Sequence, residues 1–338
     1  MTVLIGSFRQ ILQYLNVFTM TISKPSPKLS FKLLYPFSYV IATLTAYLPL
    51  KILRGMGWLL GTFAYYFNKK RRHITACNIR IAFPKLTKKA NAALIKKHLQ
   101  YMGMSLLDRV WLWFAPLSTV NQRLILTGFE HLPSTTHTIT ADTVKSQGVI
   151  LLVPHFIGLE AAGPAWISEC QKRGLPVPEF ITIFQAQKTS WQDALYRYGR
   201  GRFSDILQFT RQDGIRPVIK GMRQGRHFYC LPDNDHGEKD AVFVPFFGVL
   251  AATLTVLPKL SHLIQTPIVP LIARMTPQGY CIEVQPQWSV MSSSPNDLTA
   301  ELSRVNTAIE HWVRSMPEQY LFSHRRYKTR PNGHSSMY

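Results

Sequence analysis

The chain is expected to fold as an α/β protein: a largely parallel central sheet flanked by helices, preceded by a helical segment that anchors it to a membrane. Three observations carry this expectation. Short apolar runs alternate with helix-periodic stretches after residue 147, the pattern of strands joined by crossover helices. No Asp or Glu precedes Asp108, yet this basic arm contains two long uncharged segments. At 338 residues, 46% of them hydrophobic, the chain can bury a large core, which excludes a disordered basic tail.

The first uncharged segment, residues 33–50, is rich in Leu, Ile, Tyr and Phe. Its length is close to the ~20 residues that cross a bilayer core of about 30 Å. Pro36 and Pro49 argue against one straight spanning helix. The second, residues 55–68, holds Trp58, Phe63, Tyr65, Tyr66 and Phe67 and runs into Lys69-Lys70-Arg71-Arg72. Aromatics beside basic residues at the end of an apolar stretch mark a membrane interface. A buried core helix is the competing reading. Residues 1–21 carry only Arg9 and no small-residue cleavage site, so a removed signal peptide fits poorly. Residues 1–72 are therefore read as an uncleaved anchor that spans once or lies in the bilayer surface, and residues 73–338 as the catalytic body.

After the anchor, residues 86–114 read as one long helix. Strands are expected over 148–153, 180–184, 227–231, 268–273 and 279–284. Helices are expected over 159–172, 191–199, 214–223, 251–264 and 298–314, with loops at 174–178 and 291–295. The net charge of +21, from 39 basic and 18 acidic residues, faces this folded body toward an anionic partner: nucleic acid, a phospholipid surface or an acidic protein. Cys77, Cys170, Cys230 and Cys281 lie far apart with no paired spacing, as reduced thiols in a cytosol-facing protein would.

The chemistry gathers after the first body strand. His155 and Glu160 follow Pro154, where a sheet's carboxyl edge meets a helix start. Histidine there can accept a proton near neutral pH, and a carboxylate can fix its tautomer. Five residues of ideal helix rotate ~500°, leaving the side chains about 140° apart, so they meet only if His155 lies on the turn before the helix. Arg200 and Arg202 alternate with glycines in Gly199-Arg200-Gly201-Arg202, a pattern suited to phosphate or carboxylate and equally to a solvated basic turn. Asp233, Asp235 and His236 sit in a Pro/Gly turn as possible metal ligands or as turn chemistry. The apolar stretch 242–248 could line a greasy channel or pack in the core, and the Arg325-Arg326 tail could meet nucleic acid, phosphorylated headgroups or an acidic carrier.

These motifs occur in order: His155 and Glu160 with four residues between them, Gly199-Arg200, Asp233-Asn234-Asp235-His236-Gly237 with Val244-Pro245-Phe246-Phe247-Gly248, and the tail from Pro317 to Pro331. Together they resemble the late acyltransferases of bacterial lipid A biosynthesis, the lauroyl/myristoyl transferase family of the wider glycerolipid acyltransferases. The resemblance runs from the anchor to the last few residues. It implies a glycerolipid-acyltransferase-like fold and a single-pass or monotopic inner-membrane enzyme with its active site facing the cytoplasm. Such an enzyme moves a fatty acyl group from acyl carrier protein to a hydroxyl of a 3-hydroxyacyl chain on an anionic lipid A precursor, and uses no cofactor or metal. It further implies that His155 is the base, Glu160 its carboxylate, Arg200 linked to activity, and one of Asp233 and Asp235 important. On this reading Arg200 and Arg202 hold phosphate, and amides at the start of the 159 helix receive the oxyanion. Ile183-Phe184-Gln185-Ala186 departs from the aromatic-Arg pair common in relatives, and 174–178 reads as an insertion; both bear on the acceptor contacts. The alternatives are a same-family enzyme acting on another glycolipid or lysophospholipid and, from charge alone, a nucleic-acid-binding protein.

Overall fold

Seven strands form the central sheet of a computed structural model, which describes residues 29–133 and 148–338. Arg9, Lys24 and Lys28 of the basic arm lie outside the described residues. The strands are β1 (Leu124–Thr127), β2 (Ile150–Leu152), β3 (Phe180–Phe184), β4 (Ile206–Thr210), β5 (His227–Cys230), β8 (Ile268–Thr276) and β9 (Gly279–Val284). Their spatial order is β1-β9-β8-β2-β5-β3-β4, and every pair is parallel except β8–β9. The remaining strands, β6 (Ala241–Phe246) and β7 (Val249–Leu254), form a separate antiparallel hairpin. Thus 251–254, expected as the start of a helix, is strand. The hairpin turns at Phe247 and Gly248 with φ of 50° and 75°, the doubly positive geometry that a two-residue loop demands. A phenylalanine tolerates it here because its N–H donates to Glu310 Oε1 (2.6 Å) and Arg314 covers its ring.

The helices are α1 (Leu29–Ala46), α2 (Leu50–Phe67), α3 (Lys69–Ala82), α4 (Lys88–Phe114), α5 (Leu117–Asn121), α6 (Ala162–Lys172), α7 (Ser190–Gly201), α8 (Arg216–Arg223), α9 (Val256–Ile264) and α10 (Pro295–Ser315). Alternation along the central strands divides the core into two layers. Leu151, Val153, Val269 and Leu271 join one cluster with Leu53, Trp111 and Trp166, while Ile150, Leu152, Ile268 and Ile272 join the other with Ile79, Leu99, Val218 and Ile309. The long helix α4 feeds both layers, which explains why its apolar residues follow no single stripe.

No single described helix is long and apolar enough to cross a membrane; residues 34–46 and α2 form one apolar pair bent by 117°. The bend falls at Pro49, the residue before α2. Helix α2 packs on α4 through Gly57 and Gly61 and sends Arg54 into the interior. Arg54 Nη2 lies 2.7 Å from Asp108 Oδ2, Tyr280 OH donates to the same oxygen, and the guanidinium also donates to the carbonyls of Thr276 and Gly279. Removing one partner of a buried pair costs roughly 3–5 kcal/mol, because the other charge stays behind uncompensated. Arg54→Met is therefore expected to lower the thermal midpoint sharply, and Arg54→Met with Asp108→Leu to recover most of the loss, as read by melting in detergent.

Candidate active site

Register explains why two distant residues meet. Strands β2 and β5 are neighbours, with Leu152 opposite Cys230. Each strand ends in the same way, Val153-Pro154-His155 and Leu231-Pro232-Asp233, so His155 and Asp233 stand three residues beyond paired positions on adjacent strands. His155 Nδ1 is 2.6 Å from Asp233 Oδ1, and the backbone N–H of His155 donates to Asp233 Oδ2 at 2.8 Å. Asp233 is fully buried, while the imidazole is 16% exposed. Burial alone would raise the Asp233 carboxyl, but the His155 ring and the hydrogen bonds from it hold it below the ordinary carboxylate range. An ionised carboxylate only accepts, so Nδ1 carries a proton, and in the neutral ring Nε2 presents its lone pair. Asn234 Nδ2 lies 2.9 Å from that nitrogen and donates to it.

The carboxylate partner of His155 is thus Asp233, which corrects the expectation that Glu160 fixes the imidazole tautomer. Glu160 lies on a 3₁₀ turn, Leu159–Ala161, and points at Arg200. Arg200 Nη2 and Nε reach Glu160 Oε1 and Oε2 at 2.6 and 3.1 Å, a bidentate clamp. Burial would push Glu160 up as well; Arg200, supported by Arg109 and His155, holds it below its usual value. Glu160 therefore reaches His155 by charge and not by hydrogen bond. Helix α7 runs through Gly201, so the Gly-Arg alternation is the end of a helix and not a phosphate loop. Its Gly199 is required because a Cβ there would sit 2.1 Å from Trp113.

Arg202 donates to the carbonyls of Leu112 (3.2 Å) and Ala115 (2.7 Å), binding the carboxyl end of α4. Asp235 accepts from the amide and hydroxyl of Thr329 at 2.6 and 2.7 Å and from the amide of Gly237 at 3.0 Å, so it ties the tail to the site loop. Arg326 is buried on Ala252 O and Thr253 Oγ1 beneath the hairpin, and Arg325 faces solvent beside the Tyr338 ring. The tail pairs its backbone with the turn that carries His155, Ile157 N–H to Gln319 O and Leu321 N–H to His155 O. Of its polar residues, Arg326 braces the hairpin and Thr329 the site loop.

His155, Glu160 and Asn234 open onto a cavity of about 460 Å³, within the usual range for a small-ligand site. One wall is apolar, with Trp113, Ile167, Phe180, Phe203 and Ile206. Of the acids and bases that line it, Glu160 and Arg200 satisfy each other, and burial pushes His236 down to about 4, leaving it neutral. Arg211 and Lys239 also line it, both exposed and neither in an ion pair among the described residues; Asp240 is the remaining acid. Sequence reasoning missed Asn234, Arg211 and Lys239. The repeated Val-Pro-His and Leu-Pro-Asp strand ends were a signal for the Asp233 pairing, whereas the others carry no local mark.

Residues 26–329 match the family model described as bacterial lipid A biosynthesis acyltransferase. Among curated proteins, the chain is similar to the lipid A biosynthesis lauroyltransferase of Escherichia coli K12, 28% identical over 319 residues that cover 92% of this chain and 99% of the relative. It is similar to the palmitoleoyltransferase of the same organism, 27% identical over 324 residues covering 93% and 99%. The myristoyltransferase of that organism is 26% identical over 281 residues, 82% of each chain.

Proposed function

Because the chain belongs to the bacterial lipid A biosynthesis acyltransferase family, we propose that it transfers a fatty acyl group from an acyl carrier protein thioester to the hydroxyl of a 3-hydroxyacyl chain on a lipid A precursor. The observation that carries this reading is the His155–Asp233 pair, whose lone-pair nitrogen faces a cavity with an apolar wall. His155 Nε2 takes the proton from the acceptor hydroxyl as its oxygen attacks the thioester carbonyl. Asp233 keeps the proton on Nδ1 and stabilises the imidazolium. General base catalysis of this kind supplies on the order of 10²–10⁴-fold in rate. Glu160 holds Arg200 and adds negative potential behind the ring. The apolar wall takes the acyl chain.

Arg200 and Arg202 are engaged within the protein, so among the described residues lining the cavity the cations left for a phosphate, on the donor's phosphopantetheine or on the acceptor, are Arg211 and Lys239. Arg211→Ala with Lys239→Ala is expected to raise a substrate KM about tenfold, as loss of roughly 1.4 kcal/mol of binding requires, while kcat stays near wild type. Steady-state kinetics with each substrate varied will show which one carries the phosphate; an unchanged KM for both removes these residues from binding.

We place the enzyme on the cytoplasmic face of the inner membrane, with α1 and α2 lying in the bilayer surface. Phe37, Leu44, Leu59, Phe63 and Phe67 are each more than 60% exposed, and the basic run from Lys69 to Arg72 follows them. The test of the whole reading is transfer by purified protein from acyl carrier protein thioesters of graded length to a Kdo-bearing lipid A precursor, followed by mass spectrometry. One added ester-linked acyl group, absent with His155→Ala, is expected. No product from a folded, membrane-bound enzyme would overturn the acceptor assignment.

A further inference from the structure

The nitrogen that a general base must offer is already occupied. Nε2 of His155 has one lone pair, and Asn234 Nδ2 donates to it from 2.9 Å. An acceptor hydroxyl needs that same lone pair, so it cannot be activated until the amide moves. The backbone around Asn234 is held on both sides, by Asp233 on His155 and by Asp235 on Thr329 and Gly237. The side chain has no second hydrogen-bond partner among the described residues. Rotation of the side chain alone is therefore the available movement, and it leaves the NH₂ group beside the reacting atoms.

The oxyanion still needs a donor, and four of the turn's own amides are committed. Phe156 N–H bonds Pro154 O, Ile157 N–H bonds Gln319 O, Leu159 N–H bonds Phe156 O and Ala161 N–H bonds Gly158 O. Expecting the oxyanion at the start of that helix therefore fails for these groups.

We infer that Asn234 is a catalytic residue with two positions: in the resting site its amide fills the seat of the acceptor hydroxyl, and once displaced it donates its N–H to the oxyanion of the tetrahedral intermediate. This rests on the acyl-transfer reading above. The hydroxyl proton passes to Nε2 as the oxygen–carbon bond forms, and the carbonyl π pair moves onto the oxygen that Asn234 receives. Collapse of the intermediate breaks the carbon–sulfur bond. The thiolate takes the proton from the imidazolium, the lone pair returns to Nε2, and Asn234 swings back onto it.

The test compares Asn234→Ala and the isosteric Asn234→Asp with wild type in the transfer assay, with melting curves to confirm that both fold. Loss of one oxyanion donor costs about 10²–10³-fold in kcat, and both variants should lose that much, with acceptor KM unchanged or lower in Asn234→Ala because nothing blocks the seat. A kcat within threefold of wild type in either folded variant would overturn the donor role, and a rise in kcat would make Asn234 only a plug. The resting contact is read without substrate: the ¹⁵N resonance of His155 Nε2 should move in Asn234→Ala, and an unmoved resonance would overturn the first position. Failure of the acyl-transfer reading is told apart by wild type itself, which would then give no product.

Discussion

Asp233→Asn is expected to lose transfer by about 10³–10⁴-fold, close to the loss in His155→Ala, although it changes one atom of the side chain. Asp233 uses both carboxylate oxygens on one residue, Oδ1 for the ring Nδ1–H and Oδ2 for the backbone N–H of His155. An asparagine can accept with only one of its two terminal atoms. Whichever way it turns, an NH₂ group faces another N–H donor in a fully buried site. If it faces the ring, the proton leaves Nδ1 for Nε2, and the base loses the lone pair it needs. The pair acts as a unit, so the double variant with His155→Ala should be no worse than either alone. Initial rates with saturating donor check this. A loss below tenfold in Asp233→Asn would return the carboxylate role to Glu160. Glu160→Ala is expected to fail by another route, with a lower thermal midpoint, since it leaves the Arg200 guanidinium partly buried without its anion.

The difference between these two carboxylates shows where the sequence was legible. Strands β3, β5, β8 and β9 and the long helix α4 came through because each is a continuous apolar or periodic run. The position of His155 on a turn past a sheet edge was also readable, from the apolar run and Pro154. Its partner was not, because Glu160 is close in sequence whereas Asp233 lies 78 residues away and becomes a neighbour only through the β2–β5 register. Arg200, Arg202, Asp235 and Arg326 share this cause. Each was a candidate functional group, and each is bound to a distant atom that no local pattern specifies, while Asp235 also accepts from Gly237 within its own turn, the turn chemistry the sequence offered. The hairpin failed differently: Ala251-Ala252-Thr253-Leu254 has neither period, and its turn is made by a phenylalanine at positive φ instead of the expected Asn-Gly.

Gly61→Leu is expected to produce the largest loss of stability among single changes in the amino-terminal region, and to remove activity with it. A Cβ at Gly61 would stand 2.2 Å from Leu99 O and 2.4 Å from the Gln100 Cα, and one at Gly57 would stand 2.5 Å from the Met104 Cα. From the other side, a Cβ at Gly103 would meet Gly57 O at 2.1 Å. The two backbones are in contact along a seam of glycines four residues apart on α2, the small-residue spacing that lets helices approach closely. The neighbours are main-chain atoms, so no rotamer change makes room and the helices must separate. Separation undoes the Arg54–Asp108 pair and exposes Leu53, which is fully buried. Overpacking alone costs about 1–3 kcal/mol, and loss of the ion pair adds roughly as much again or more. Gly55→Ala on the same helix is the control: nothing lies within 4 Å of its Cβ, and it should be neutral or stabilise the helix by up to about 1 kcal/mol. Melting curves and limited proteolysis at α2, in detergent or in membranes, separate the two. On the proposed placement of α2 in the bilayer surface, this seam sets the height of the site over the lipid. A Gly61→Leu protein that melts and turns over like wild type would mean that α2 is a tether and carries no such alignment.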